Sequence, residues 1–188
     1  MNNHQRAQKI KMILMDVDGT LTDGRLLILP DGEELKTYNV RDGTGILMAH
    51  LAGLKTGIIT GKVSKSLEKR ASKLKILEVY QGILDKKSVL LEIINKHHLS
   101  LEEVAYIGDD LGDLNVLKEV GLAGAVADAH PEVKKHSHYI CKTAGGDGAV
   151  REFIEFILAA QHKWKIVEER FKELTSFEDI GKILTEKG

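Results

Sequence analysis

The chain has 188 residues, 27 Lys plus Arg against 28 Asp plus Glu, a net charge of -1 and one cysteine. Such a length accommodates one domain with a sizeable core, and the balanced charge gives no electrostatic case for a nucleic-acid or membrane partner. The lone Cys141 excludes an intrachain disulfide and a cysteine-only metal cluster, in keeping with a reducing compartment.

The polar opening MNNHQRAQKIK offers no signal-peptide core. No later stretch approaches the roughly 18 uninterrupted apolar residues of a membrane span. A cytoplasmic location is therefore expected. Short apolar runs bounded by Gly and Asp then alternate with stretches of helical period, the rhythm of a parallel sheet with helices on both faces. Strands are predicted over 12–17, 56–60, 78–80, 104–107, 122–126 and 139–141. Helices are predicted over 45–54, 64–75, 86–97, 113–120, 131–136 and 148–160, the last carrying Val150, Phe153, Ile154, Ile157 and Leu158 on one side. The fold class is thus α/β, three layers, Rossmann-like.

One segment breaks the alternation. Between Thr22 and Val40 two strand-like runs flank Pro30-Asp31-Gly32, a hairpin turn signal, so an antiparallel insert is expected right after the first strand. The domain spans 1–161 with this insert at about 22–40. The charged stretch 162–188 has helical period and reads as a helical C-terminal tail.

In an open parallel sheet, residues just past the carboxyl ends of neighbouring strands converge on one crevice. Here these are Asp16 and Asp18, then Thr60-Gly61-Lys62, then Asp109 and Asp110 with Asp113 a turn on; Lys86 opens the helix after the third strand. Crowded carboxylates repel and need a partner or a proton, and oxygen donors of this kind suit Mg²⁺ together with phosphate. Asp16 is the candidate nucleophile, forming an aspartyl-phosphate. Asp18 is placed to protonate the leaving oxygen and then activate water. Thr60, Lys86 and backbone amides would hold the transferred group. Singly, each has an ordinary reading: a strand-end cap, a solvated lysine, or a turn with an N-cap. Jointly, in this order at successive strand ends, they form a site.

The stretches DVDGTLTDG, ITGK, Lys86 and YIGDDLGDL resemble, in order, the four motifs of the haloacid-dehalogenase-like phosphatases. The resemblance implies Asp16 as the phosphorylated nucleophile, Asp18 as acid/base that also offers its main-chain carbonyl to Mg²⁺, and Asp109 as a metal ligand, with Asp110 and Asp113 in the outer shell. NVRDGTGI, AVADAHPEV and AGGDGAVREF further resemble the capless subgroup acting on 3-deoxy-D-manno-octulosonate 8-phosphate. That likeness implies a small-molecule sugar phosphate as substrate, held by Asp18, Asn39, Val40, Arg41, Asp42 and Gly43, and by Gly61, Lys62, Arg70 and Lys86. It also implies a homotetramer in which the hairpin packs on its symmetry mates and covers a neighbour's site.

Departures fall where the sugar should sit. Several bacterial members carry Arg where this chain has Leu47, Lys62 and Asp147, and Arg grips a carboxylate bidentately where Lys is a point charge. Phosphatases of nine-carbon acidic sugars (nonulosonate 9-phosphates) are the near alternative. Outside enzymes, a phospho-accepting receiver domain shares Asp, Thr, Lys and Mg²⁺ on a parallel sheet, but lacks D-x-D-G-T followed by a hairpin. A catalytically silent oligomerisation domain has no use for both Asp16 and Asp18.

Overall fold

The structure, a computed structural model, describes residues 1–174. Six parallel strands lie in the order β5-β4-β1-β6-β7-β8: β1 (Met12–Met15), β4 (Lys55–Ile59), β5 (Glu78–Tyr80), β6 (Val104–Gly108), β7 (Leu122–Ala125) and β8 (Tyr139–Ile140). β1 is central, hydrogen-bonded to β4 with Met15 opposite Ile58 and to β6 with Met15 opposite Ile107. A strand covered on both faces reads as a continuous apolar run, and all four residues of Met12–Met15 are buried.

The order reverses between β5 and β6. Right-handed crossovers therefore put α2 (Val40–Leu51) and α3 (Lys65–Lys73) on one face and α4 (Lys86–Lys96), α5 (Leu114–Leu117) and α6 (Pro131–Lys135) on the other. α7 (Ala149–Ala160) joins the first face against α2 and the N-terminal α1 (Asn3–Gln8). The expected apolar side of α7 is fully buried from Val150 to Leu158. The reversal, at the carboxyl ends of β1 and β6, is the topological switch point where such sheets place ligands.

The insert is the antiparallel hairpin β2 (Leu27–Ile28) and β3 (Glu34–Leu35), with Leu27 opposite Leu35. Its turn closes through Gly32 N–H donating to the Leu29 carbonyl at 2.8 Å, and Gly32 takes φ +86°, a conformation glycine adopts without strain.

Three differences from the expected elements have physical causes. Helix α2 starts at Val40 rather than 45, capped by the Asn39 side chain, which accepts from Arg41 N–H at 2.8 Å. Gly43 and Gly45 depress its apparent propensity, yet both are needed for packing. A Cβ on Gly45 would lie 2.9 Å from Arg151 Cα in α7, and one on Gly43 2.4 Å from the Arg70 guanidinium in α3. The helix expected over 113–120 is split into a 3₁₀ turn, Leu111–Asp113, and the short α5. Helix α1 was not foreseen. It has one buried residue, Ala7, and so no apolar stripe; a reciprocal Asn2/Gln5 capping box and Arg6 donating to the Gly121 carbonyl at 2.8 Å hold it.

Of the expected C-terminal tail, Trp164–Glu173 forms α8, which buries Val167 and sends the Arg170 guanidinium to the Leu51 carbonyl at the end of α2. The remainder, 175–188, lies outside the described residues. Among the described residues no helix is long and apolar enough to cross a membrane.

Candidate active site

β1 ends at Met15, where the Asp16 N–H still donates to the Ile107 carbonyl at 3.1 Å. The next residues leave the sheet, so Asp16 and Asp18 stand at its carboxyl edge between β4 and β6. Lys86, first residue of α4, reaches across β1. Its Nζ lies 2.6 Å from Asp16 Oδ1 and 2.7 Å from Asp113 Oδ1, and it also donates to the Tyr106 hydroxyl at 3.2 Å. The Tyr106 hydroxyl in turn donates to Asp113 Oδ1 at 2.6 Å. Asp16, Lys86 and Asp113 are all buried, so their pairing compensates lost hydration that is costly for isolated charges.

Charge in this cluster is unbalanced toward the acids. Burial, then the Asp113 carboxylate, pushes Asp16 up to about 6 against the opposing pull of Lys86. Burial, then Asp16 and Asp113, pushes Asp109 up to about 7. Burial alone would lower the Lys86 ammonium, but Asp113 and Asp16 outweigh it and its pKa rises. One oxygen each from Asp16, Asp109 and Asp113 lies within 4.8 Å of the others. Hard oxygen donors in a net-negative, partly desolvated cluster suit a hard divalent cation of the Mg²⁺ type.

Asp113 differs from the other two acids in how it is occupied. Its Oδ1 accepts from Lys86 and Tyr106, and its Oδ2 from the Asp109 and Asp110 N–H groups at 3.0 and 3.3 Å. Both oxygens thus hold hydrogen bonds, and Oδ2 ties down the Asp109 loop. Gly108 permits this: a Cβ there would fall 2.3 Å from Asp113 Oδ2. Asp110 is exposed and caps the 3₁₀ turn through Leu111 N–H at 2.8 Å.

Thr60 is buried at the end of β4, adjoining β1, while Gly61 and Lys62 are exposed beyond it. Lys62 Nζ lies 3.9 Å from Glu34 of the hairpin. Val40 and Arg41 are exposed at the start of α2; no carboxylate among the described residues pairs with Arg41. Arg70 is half-buried and donates weakly to the Asn39 carbonyl at 3.5 Å. Asn39 Nδ2 donates to the Gly146 carbonyl at 3.0 Å, tying α2 to the Gly145-Gly146 loop. Leu47 is half-buried and Asp147 exposed.

Asp42 and Gly43, expected in the substrate-binding set, are both buried in the structure. Asp42 is 1% exposed and accepts from Arg151 N–H at 2.9 Å through Oδ1, while its buried Oδ2 has no partner among the described residues. It caps α7 from outside, because the Gly148 N-cap has no side chain to do so. Gly43 is buried and serves the passage of Arg70.

Several contributors were missed in the sequence. The Thr20 hydroxyl donates to Asp109 Oδ1 at 2.9 Å, joining the first motif to the last. Lys36, from the end of β3, ion-pairs with both Asp18 carboxylate oxygens. The Gly145-Gly146 loop lies against the first motif, with Gly146 N–H donating to the Thr20 carbonyl at 3.0 Å and a Cβ on Gly145 falling 1.7 Å from the Gly19 carbonyl oxygen. The alternation Glu34-x-Lys36 was the available signal for the hairpin contact, since residues two apart in a strand share a side.

Residues 54–154 match the family model of haloacid dehalogenase-like hydrolases. The 3-deoxy-D-manno-octulosonate 8-phosphate phosphatase KdsC of Yersinia pestis is 46% identical over 159 residues, 85% of each chain. That of Escherichia coli K12 is 44% identical over 158 residues, 84% of each. A crystal structure of the Moraxella catarrhalis enzyme, in complex with magnesium, phosphate and KDO, superposes with a TM-score of 0.86 at 38% identity, covering 89% of this chain and 97% of that one. The chain is a phosphomonoesterase that belongs to the haloacid dehalogenase-like hydrolase family, in the branch that contains the KdsC phosphatases.

Proposed function

We propose that the chain hydrolyses 3-deoxy-D-manno-octulosonate 8-phosphate to the free sugar and phosphate, with Mg²⁺, through an aspartyl-phosphate on Asp16. The observation that carries this reading is the buried Asp16–Lys86–Asp113 array beside Asp109 at the switch point of the sheet, in a chain so similar to enzymes named for that reaction.

In the first step an Asp16 carboxylate oxygen forms a bond to phosphorus while the bond from phosphorus to the sugar oxygen breaks. Asp18 gives its proton to that departing oxygen. Lys86 and Thr60 hold the transferred oxygens as charge shifts onto them. In the second step Asp18, now a carboxylate, takes a proton from the attacking water, and the Asp16–phosphorus bond breaks. Asp16, Asp109 and the Asp18 main-chain carbonyl are the residues to hold Mg²⁺, which supplies charge neutralisation for two anions brought together.

The sugar carboxylate needs a cation at the cleft mouth. Arg41, exposed and with no carboxylate partner among the described residues, is our first candidate, followed by Arg70 and Lys62. Leu47 and Asp147 stand where several members have Arg, and this favours keeping nonulosonate 9-phosphate as a second substrate to test. The exposed apolar pair Leu27 and Ile28, 61% and 62% accessible, supports self-association through the hairpin, which we read as a homotetramer.

The test is phosphate release from a panel of acidic-sugar phosphates, ranked by kcat/KM, with and without EDTA. The reading expects octulosonate 8-phosphate to lead and chelation to abolish turnover until Mg²⁺ is restored. A preference for nonulosonate 9-phosphate would transfer the assignment to that sugar, and no release from either would overturn it.

A further inference from the structure

The Lys36 side chain, just past β3, is only 1% exposed, yet it is charged. A buried ammonium needs a counter-ion, and among the described residues the only carboxylate paired with it is Asp18, whose two oxygens it contacts together. Asp18 is 24% exposed on its side chain, so the Lys36 side seals it while the remaining side faces the cleft. The same edge of the hairpin makes a second contact two residues back, Glu34 to Lys62 at 3.9 Å. Leu35, between them, points the other way and is 37% exposed. One side of the β3 strand therefore lies over the cleft of its own subunit, while its apolar side is left outward.

We propose that Lys36 is a positioning residue for Asp18, and that the hairpin through it serves catalysis inside its own subunit, apart from any role in assembly. The proposal rests on the reading of Asp18 as the proton carrier. A carboxylate on a loop beyond a strand end has free rotation about two side-chain bonds; a charge-assisted contact to a buried ammonium, itself held in place by its surroundings, restricts that freedom. Asp18 must face the sugar oxygen in one step and a water in the next, so a fixed orientation serves both. Lys36 is the cation that contacts the Asp18 carboxylate among the described residues, so removing it leaves that orientation unset.

The experiment compares Lys36→Met, Lys36→Arg, Asp18→Asn and the Lys36→Met/Asp18→Asn pair on octulosonate 8-phosphate, with thermal melts confirming that each variant is folded. Because general acid–base catalysis contributes about 10²–10⁴-fold, Lys36→Met is expected to lower kcat by roughly 30-fold or more with KM within about three-fold. Lys36→Arg, which keeps the charge, is expected to recover most of the loss. If Lys36 acts through Asp18, adding Lys36→Met to Asp18→Asn lowers kcat by less than about two-fold, the non-additivity of residues in one network. A KM rise with kcat intact, fully additive losses, or wild-type kcat in Lys36→Met would each overturn the proposal. Full turnover in Asp18→Asn would instead overturn the reading of Asp18, a separate outcome seen in a separate variant.

Discussion

Gly145→Ala is expected to cripple the enzyme without touching a single acid. The loop before α7 rests on the motif that carries Asp16 and Asp18, and a Cβ on Gly145 would sit 1.7 Å from the Gly19 carbonyl oxygen, where real contacts stay at 3.0 Å or beyond. The loops must part by about 1.3 Å, the difference of those two distances. Neither side yields easily. Gly146 N–H is bonded to the Thr20 carbonyl and Gly145 N–H to Asp128 Oδ1 at 2.9 Å, while the Thr20 hydroxyl holds Asp109. A misplacement of about 1 Å at reacting groups costs on the order of 10²-fold in rate, so kcat should fall about 100-fold. Overpacking of this kind costs about 1–3 kcal/mol, which for a chain of this size lowers Tm by roughly 2–12 °C. The assay is steady-state phosphate release with a thermal melt, beside Gly112→Ala, whose added Cβ meets nothing within 4 Å although it lies in the Asp109–Asp113 turn. A Gly145→Ala enzyme with wild-type kcat and Tm would refute the claimed coupling between this loop and the nucleophile.

Two further outcomes follow from buried ionisable groups. Burial pulls His50 down to about 4 from 6.5, its Nε2 lying 2.7 Å from Thr56 Oγ1. The unfolded chain then binds this proton first as pH falls, so its contribution to stability is complete above about 6.5 and is lost toward 4, by about 3 kcal/mol. Asp42 runs the other way, since burial raises it to about 6. The measurement is therefore the difference in urea midpoint between wild type and His50→Gln from pH 7 to 4.5, which should shrink as pH falls; a constant difference would remove His50 from the account. Asp42→Ala uncaps α7 and should lower stability by about 1–3 kcal/mol while leaving KM of the folded enzyme near wild type. A raised KM with unchanged stability would return Asp42 to the substrate.

The parallel sheet and hairpin were legible because their signals are local: apolar runs ending in Asp or Gly, and Pro-Asp-Gly between strand-like runs. The acids of the site were legible for the same reason, each sitting at a strand end. What stayed hidden depends on pairs distant in sequence. Gly43 and Gly45 delay an apparent helix start because their packing partners, Arg70 and Arg151, lie on other helices. Asp42 reads as part of a substrate loop until α7 is seen to lack its own cap. Lys36 is one of many lysines until the hairpin folds over Asp18. Tyr106, which locks Asp113, carries no local mark, and Thr20, though part of D-x-D-G-T, shows its tie to Asp109 only once the chain is folded.

The central claim is that the Asp16 carboxylate attacks phosphorus. Borohydride reduces an aspartyl-phosphate to homoserine, so the enzyme is quenched during turnover with octulosonate 8-phosphate and Mg²⁺, reduced, and read by peptide mass spectrometry. The account predicts homoserine at position 16, absent without substrate and absent in Asp16→Asn. An unmodified Asp16 peptide during full turnover, or modification at another aspartate, would contradict it.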